Sequence, residues 1–155
     1  MKRTILGIMF FLTTVSSAYA SHYDLPDVDL LPAEIVTKLA NDKIDTTEDL
    51  FALLMRKSDR VKFAKQYNIA QKDVDNLARK LELMQIVGIG PKAATLLLLS
   101  DIPNINALAN ATANALLDTL QRVNREKNVT GVQPDLTVVT DWINKAKQIT
   151  NRIEE

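Results

Sequence analysis

The chain has 155 residues, 46% hydrophobic and 5% aromatic, and its 19 basic residues balance 19 acidic ones. Zero formal charge argues against a strongly basic nucleic-acid binder. The absence of cysteine removes disulfide scaffolds, thiolate zinc sites, iron–sulfur clusters and thiol nucleophiles, and a single histidine, His22, argues against Ser-His-Asp triads and excludes two-histidine metal sites.

In chain order, residues 1–20 read first as a targeting segment. Met1-Lys2-Arg3 is a short basic start, Ile5 to Leu12 an apolar run, and Ala18-Tyr19-Ala20 the small-x-small site of a signal peptidase, the three parts of a secretory signal. The apolar run is about a dozen residues, short of the roughly 20 that span a bilayer, so an uncleaved anchor is the weaker alternative. Cleavage leaves a mature chain from Ser21 to Glu155, expected in the periplasm or outside the cell. Without Lys2 and Arg3, 17 basic residues face 19 acidic ones, a side-chain sum of −2. No later stretch is apolar enough to span a membrane, and a chain of this length can bury one core without covalent staples.

The mature chain reads as all-α. Apolar positions recur at helical spacing over helices expected near 32–41, 47–56, 58–67, 71–86, 91–100, 104–109, 112–127 and 134–153. Asp45-Thr46-Thr47-Glu48 has a capping residue with a carboxylate three positions on, Ser58-Asp59 would cap the next helix, and Pro32, Pro91 and Pro134 fall where a first helical turn tolerates proline. Leu136, Val139, Ile143, Ala146, Thr150 and Ile153 form a heptad-type stripe. Thr137-Val138-Val139-Thr140 is the one candidate strand, but it is short and lies inside that stripe, so helix is favoured.

The sequence also echoes itself. Val28-Asp29-Leu30-Leu31-Pro32 parallels Val87-Gly88-Ile89-Gly90-Pro91, and Asp42-Lys43-Ile44 parallels Ser100-Asp101-Ile102. A period near 60 is long for a solenoid unit, so we expect two helical halves, 21–83 and 84–155, packed as one compact domain.

One motif carries chemistry. In Leu83-Met84-Gln85-Ile86-Val87-Gly88-Ile89-Gly90-Pro91-Lys92-Ala93-Ala94-Thr95-Leu96-Leu97, two glycines bracket Ile89 just before a helix opens at Pro91. Glycine permits a positive φ and close backbone approach, and the unpaired amides of a helix N-terminus suit an anion, with Lys92 able to add charge.

These residues resemble the helix-hairpin-helix motif. The resemblance implies a hairpin at Val87, Gly88, Ile89 and Gly90, with Lys92 beyond it, that contacts a DNA phosphate without reading bases. With the paired halves, the Ile102 to Ala109 segment and Trp142-Ile143-x-x-Ala146, the mature chain resembles the bacterial domain-of-unknown-function family DUF4332, a family similar to duplicated helix-hairpin-helix domains. The first copy departs from the pattern, with Asp29 where Gly88 stands and Leu31 where Gly90 stands. A carboxylate there repels phosphate and the side chains obstruct approach, so the first copy is expected to be structural. In the second, the hairpin is either a tight turn with Ile89 buried between the halves or an anion contact.

Other candidates weigh less. His22 near a free amine is a weak copper site, Asp27 and Asp29 a weak calcium or magnesium signal, and Trp142 and Tyr67 are expected to pack rather than stack on a ligand. Asn110-Ala111-Thr112 and Asn128-Val129-Thr130 fit a glycosylation pattern that matters only in a eukaryotic secretory path. With no positioned acid–base constellation, the expectation is a non-enzymatic module, without cofactor or metal, that binds a protein partner. Sequence-independent DNA binding is the alternative, disfavoured by charge and export because duplex affinity rests on many phosphate contacts by Lys and Arg. A carboxylate-only hydrolase has no support.

Overall fold

A computed structural model describes residues 22–150 and 152–154; the expected signal segment lies outside the described residues. A short 3-10 turn, Leu25–Asp27, precedes eight helices: α1 Ala33–Asn41, α2 Thr47–Leu54, α3 Lys57–Tyr67, α4 Gln71–Leu83, α5 Pro91–Leu99, α6 Ile105–Ala109, α7 Ala113–Lys127 and α8 Leu136–Ala146. The fold is all-α, with no strand longer than the single antiparallel bridge Asp24–Thr46 among the described residues.

The amphipathic spacing gave the helices; their ends are set by caps. Helix α2 starts on a capping box one residue beyond the expected one. The Thr46 hydroxyl accepts from the Asp49 N–H at 3.2 Å and the Asp49 carboxylate accepts from the Thr46 N–H at 3.0 Å. Pro91 is the first residue of α5, whereas Pro32 is the residue before α1 and Pro134 precedes the true cap of α8, Asp135, whose carboxylate accepts from the Val138 N–H at 2.9 Å. Ser58 and Asp59 lie inside α3, which opens after Arg56 with no side-chain cap of its own.

Two helices are shorter than the periodicity implied. α4 stops at Leu83, and the chain tightens through Ile86 N–H to Leu83 O at 3.1 Å before turning at Gly88. α8 stops at Ala146, with Ile149 donating to Ala146 O at 3.2 Å. Thr150 is exposed, while Ile153 leaves the stripe and is buried elsewhere. Heptad spacing continued past the helix because Ile153 is apolar for a different reason.

Buried side chains fall into two clusters. The first gathers Leu25, Ile35, Leu39, Leu50, Phe51, Phe63, Val74 and Leu81 with their neighbours, and Ile153 joins it from the far end of the chain. The second gathers Leu83, Ile86, Ile89, Leu97, Leu120 and Trp142 with theirs. Leu30 is half-buried against both. α4 packs on α2, α3 and α5, α5 on α7, and α8 on α6 and α7.

The two stretches of chain also share backbone detail. α1 and α5 are each 9 residues long and begin 58 positions apart. Each is followed by a residue in the left-handed region, Lys43 at φ 62° and Asp101 at φ 60°. The next amide then reaches back, Ile44 to Leu39 O and Ile102 to Leu97 O, both at 3.0 Å. α3 and α7 both end on a left-handed asparagine, Asn68 at φ 52° and Asn128 at φ 50°, a residue that tolerates this conformation at a helix end.

The α2 cap makes a checkable prediction. Thr46→Ala lowers stability by about 1 kcal/mol at neutral pH. The Asp49 carboxyl is held below its ordinary range, first by the Thr46 hydroxyl, with the Thr46 and Asp45 amides adding and slight burial opposing. A folded-state value below the unfolded one contributes stability above about pH 4 that fades as the pH falls through the folded value. The Tm gap between Asp49→Asn and the unaltered chain therefore closes between about pH 7 and about pH 2; a gap constant over that range would rule out the carboxylate as the cap.

Candidate functional site

Val87, Gly88, Ile89 and Gly90 lie in the turn that joins α4 to α5. Ile86 and Ile89 are both fully buried, and the Ile89 N–H donates to Ile86 O at 3.0 Å. Burying both apolar residues forces the backbone between them outward, and Gly88, exposed, turns it at φ +97°, a conformation that suits glycine and strains other residues. Ile89 sits within the second cluster, which also holds buried residues of α5, α6, α7 and α8.

Gly90 serves a different purpose. Its φ of −89° is ordinary backbone, so conformation does not demand glycine there. Space does: a Cβ at Gly90 would lie 3.1 Å from Tyr23 Oη, and one at Gly88 would lie 3.3 Å from Trp142 Nε1. The hairpin is thus flanked by Tyr23 from the N-terminal segment and by Trp142 from α8. A third residue, Lys145, donates from Nζ to Val87 O at 3.1 Å while pairing with Asp141 at 2.6 Å. Sequence reading assigned Trp142 to packing or groove lining and gave no part to Tyr23 or Lys145. Both meet the hairpin only through long-range packing, which leaves no local signal.

Val87 is half-buried and Lys92 is exposed in the first turn of α5. Ala94 N–H donates to Gly90 O at 2.9 Å, closing the first turn, and the amides before it belong to the set that a helix leaves without internal acceptors. That end of α5 borders a cleft of about 700 Å³ that also holds Tyr23, Asp27, Asp29 and Thr130. Asp27 and Asp29, both exposed, bring two carboxylates into the space where Lys92 and the helix dipole would draw an anion. Like charge in that position opposes phosphate. In the stretch matched to it in sequence, Asp29 is exposed and Leu30 is half-buried against both clusters, and the backbone does not repeat the left-handed turn of Gly88.

On the Trp142 side lies a smaller groove of about 250 Å³, lined by Gly88, Leu96, Val132, Pro134, Val138 and Trp142. Its exposed apolar residues are Val132, 83% exposed, and Val138, 38% exposed, beside the polar Thr130 and Gln133. Isolated exposed apolar residues are ordinary, whereas several around one groove are the mark of a contact surface. Among the described residues no three His, Asp or Glu side chains converge as a metal site. His22 pairs with Glu48, Nε2 to Oε2 at 3.1 Å, and the Tyr67 ring packs tilted against Phe63, with centroids 4.6 Å apart and planes at 48°.

The two glycines should respond differently to the same change. Gly88→Ala combines a strained φ with a tight approach to the Trp142 indole and costs about 1–3 kcal/mol. Gly90→Ala meets only the mobile end of Tyr23 and costs less; in a Tyr23→Phe background, where Oη is gone, most of that cost disappears. Urea unfolding of the four variants measures this, and equal losses at both glycines would contradict the assignment.

No curated protein and no solved structure matches the chain. The model of one family, "Domain of unknown function (DUF4332)", matches residues 32–149, a stretch that begins at the entry to α1 and includes all eight helices and the glycine hairpin. The chain belongs to the DUF4332 family.

Proposed function

We propose that the chain is an exported, non-enzymatic binding module, built from two helix-hairpin-helix-like halves, that docks a protein partner on the face beside Gly88–Lys92. Export rests on the pattern of Met1 to Ala20; no helix among the described residues is long and apolar enough to cross a membrane. Duplication is supported by the 58-residue offset of α1 and α5 and by the matched left-handed residues that follow them.

The observation that carries the docking reading is the pair of exposed apolar residues Val132 and Val138 at the groove that Gly88, Pro134 and Trp142 also line. Exposed apolar side chains gathered at one groove mark a contact surface. The competing reading, sequence-independent contact with a DNA backbone, draws on Lys92 and the open end of α5. It is weakened by Asp27 and Asp29 in the same cleft, by Tyr23 against Gly90 and by the mature side-chain sum of −2.

The test uses the mature chain, Ser21 to Glu155. A photo-crosslinker at position 133, which lines the groove, is expected to give a discrete adduct with one envelope protein, lost in Val132→Asp/Val138→Asp, whose sites are exposed enough to leave folding intact. In parallel, the chain should leave duplex DNA unretarded in a gel at low salt. Retardation that weakens with rising salt and with Gly88→Asp would overturn the protein reading in favour of DNA.

A further inference from the structure

We propose that the first cluster carries a peptide-binding groove that reads an extended Arg–aliphatic–Glu segment of a partner protein, with the chain's own Arg152, Ile153 and Glu154 occupying it as an intramolecular competitor. The inference concerns a different surface from the hairpin face and goes beyond the docking proposed there.

Each of the three residues is received by its own fitting. The Arg152 N–H donates to Glu82 Oε1 at 2.8 Å, its guanidinium lies 4.9 Å over the Phe51 ring, and its Nη2 donates to Gln85 Oε1 at 3.2 Å. The Ile153 N–H donates to the same Glu82 oxygen at 3.1 Å, and its side chain is 8% exposed, sunk into the first cluster. The Glu154 N–H donates to Met55 O at 3.0 Å, and its carbonyl accepts from Arg60 Nη2 at 2.5 Å. Its carboxylate accepts from the Lys57 N–H at 2.9 Å, at the start of α3. All three main-chain N–H groups are satisfied, while the side chains meet a stacking face, a pocket and a helix N-terminus. Main-chain bonds for affinity and pockets for selectivity are how extended peptides are recognised.

The receiving frame is built without the tail. Arg60, only 4% exposed, is fixed by Asp75 Oδ1 at 2.7 Å and by the carbonyls of Leu54 and Met55 at 3.1 Å each, which leaves Nη2 directed at the incoming carbonyl. α3 has no side-chain cap at its own N-terminus, so an acidic residue at the third position completes it. Glu82 is fully buried beneath the tail and accepts from two of its amides. The tail lies beyond the end of α8 at Ala146 and belongs to no helix. A frame held in place before its ligand arrives is what keeps the cost of binding low.

The test is anisotropy of a fluorescent octapeptide spanning residues 148–155, titrated with the full chain carrying Ile153→Asp. Saturable binding at least tenfold tighter than to the unaltered chain is expected. Peptides bearing Ile153→Asp or Arg152→Ala should bind at least tenfold more weakly, and the variant's Tm should rise with added peptide. A cooperatively melting variant that does not distinguish the peptide from a scrambled one overturns the proposal. Should Ile153→Asp abolish cooperative melting, Arg152→Ala/Glu154→Ala retains the buried side chain. There, amide exchange at 152–154 should accelerate at least tenfold and peptide binding should appear; unchanged exchange overturns the proposal. The crosslink at the hairpin face does not involve the tail, so either result leaves that reading to its own experiment.

Discussion

α4 has to serve two interiors at once, and much of the architecture follows from that. Val74, Leu77, Ala78 and Leu81 lie at helical spacing and enter the first cluster, while Leu83 and then Met84 enter the second. A single straight helix cannot present both sets for long, because a 3.6-residue repeat returns each face to the same side. The helix therefore ends at Leu83, and Ile86 and Ile89 complete the passage as two buried residues on a tight turn. Gly88 is needed where the backbone between them is pushed out, which is why the left-handed glycine lies there rather than at position 90. The glycine pattern that resembles a phosphate-gripping hairpin is thus also required by packing alone.

The two stretches of chain enter their matched helices by different turns: Gly88 stands at φ +97°, whereas Asp29 lies outside the left-handed region. Where the second has Gly88-Ile89-Gly90, the first has Asp29-Leu30-Leu31, and in each the central apolar residue packs inward. Conserving the inward residue keeps the core, and the flanking positions are left to set what the surface offers. In the first they add a carboxylate; in the second they leave room that Tyr23 and Trp142 enter. The Tyr23 hydroxyl stands 3.1 Å from where a Gly90 Cβ would lie, and the Trp142 indole edge 3.3 Å from where one at Gly88 would lie.

Most of the helical architecture was legible because amphipathic spacing is a local signal. Val74, Leu77, Ala78 and Leu81 marked α4, and Leu116, Leu120 and Val123 marked α7, as the buried sets show. The β-branched run at Thr137–Thr140 was correctly given to α8 on the strength of the surrounding stripe. Caps were read less well. Thr46 and Asp49 replaced the expected Asp45 and Glu48 because neighbouring residues of the same chemistry compete for one role, and only the backbone geometry selects between them. Ile153 was misassigned to a helix because apolarity at the right interval says that a residue is buried, not where. The partners of Glu82, Arg60 and Lys145 were invisible, since residues about 60 to 100 positions apart carry no periodic relation.

The ends of the chain are exchanged between the clusters. Tyr23, near the start, packs on the second cluster and against Gly90, whereas Ile153, near the end, is buried in the first. Tyr23 is itself fastened to the first stretch, donating to Thr47 Oγ1 at 3.1 Å and accepting from the Thr47 N–H at 2.9 Å. Each terminal segment thus bridges interiors that α4 alone would join at one seam. Such crossing raises cooperativity, since opening either cluster frees a residue on which the other depends.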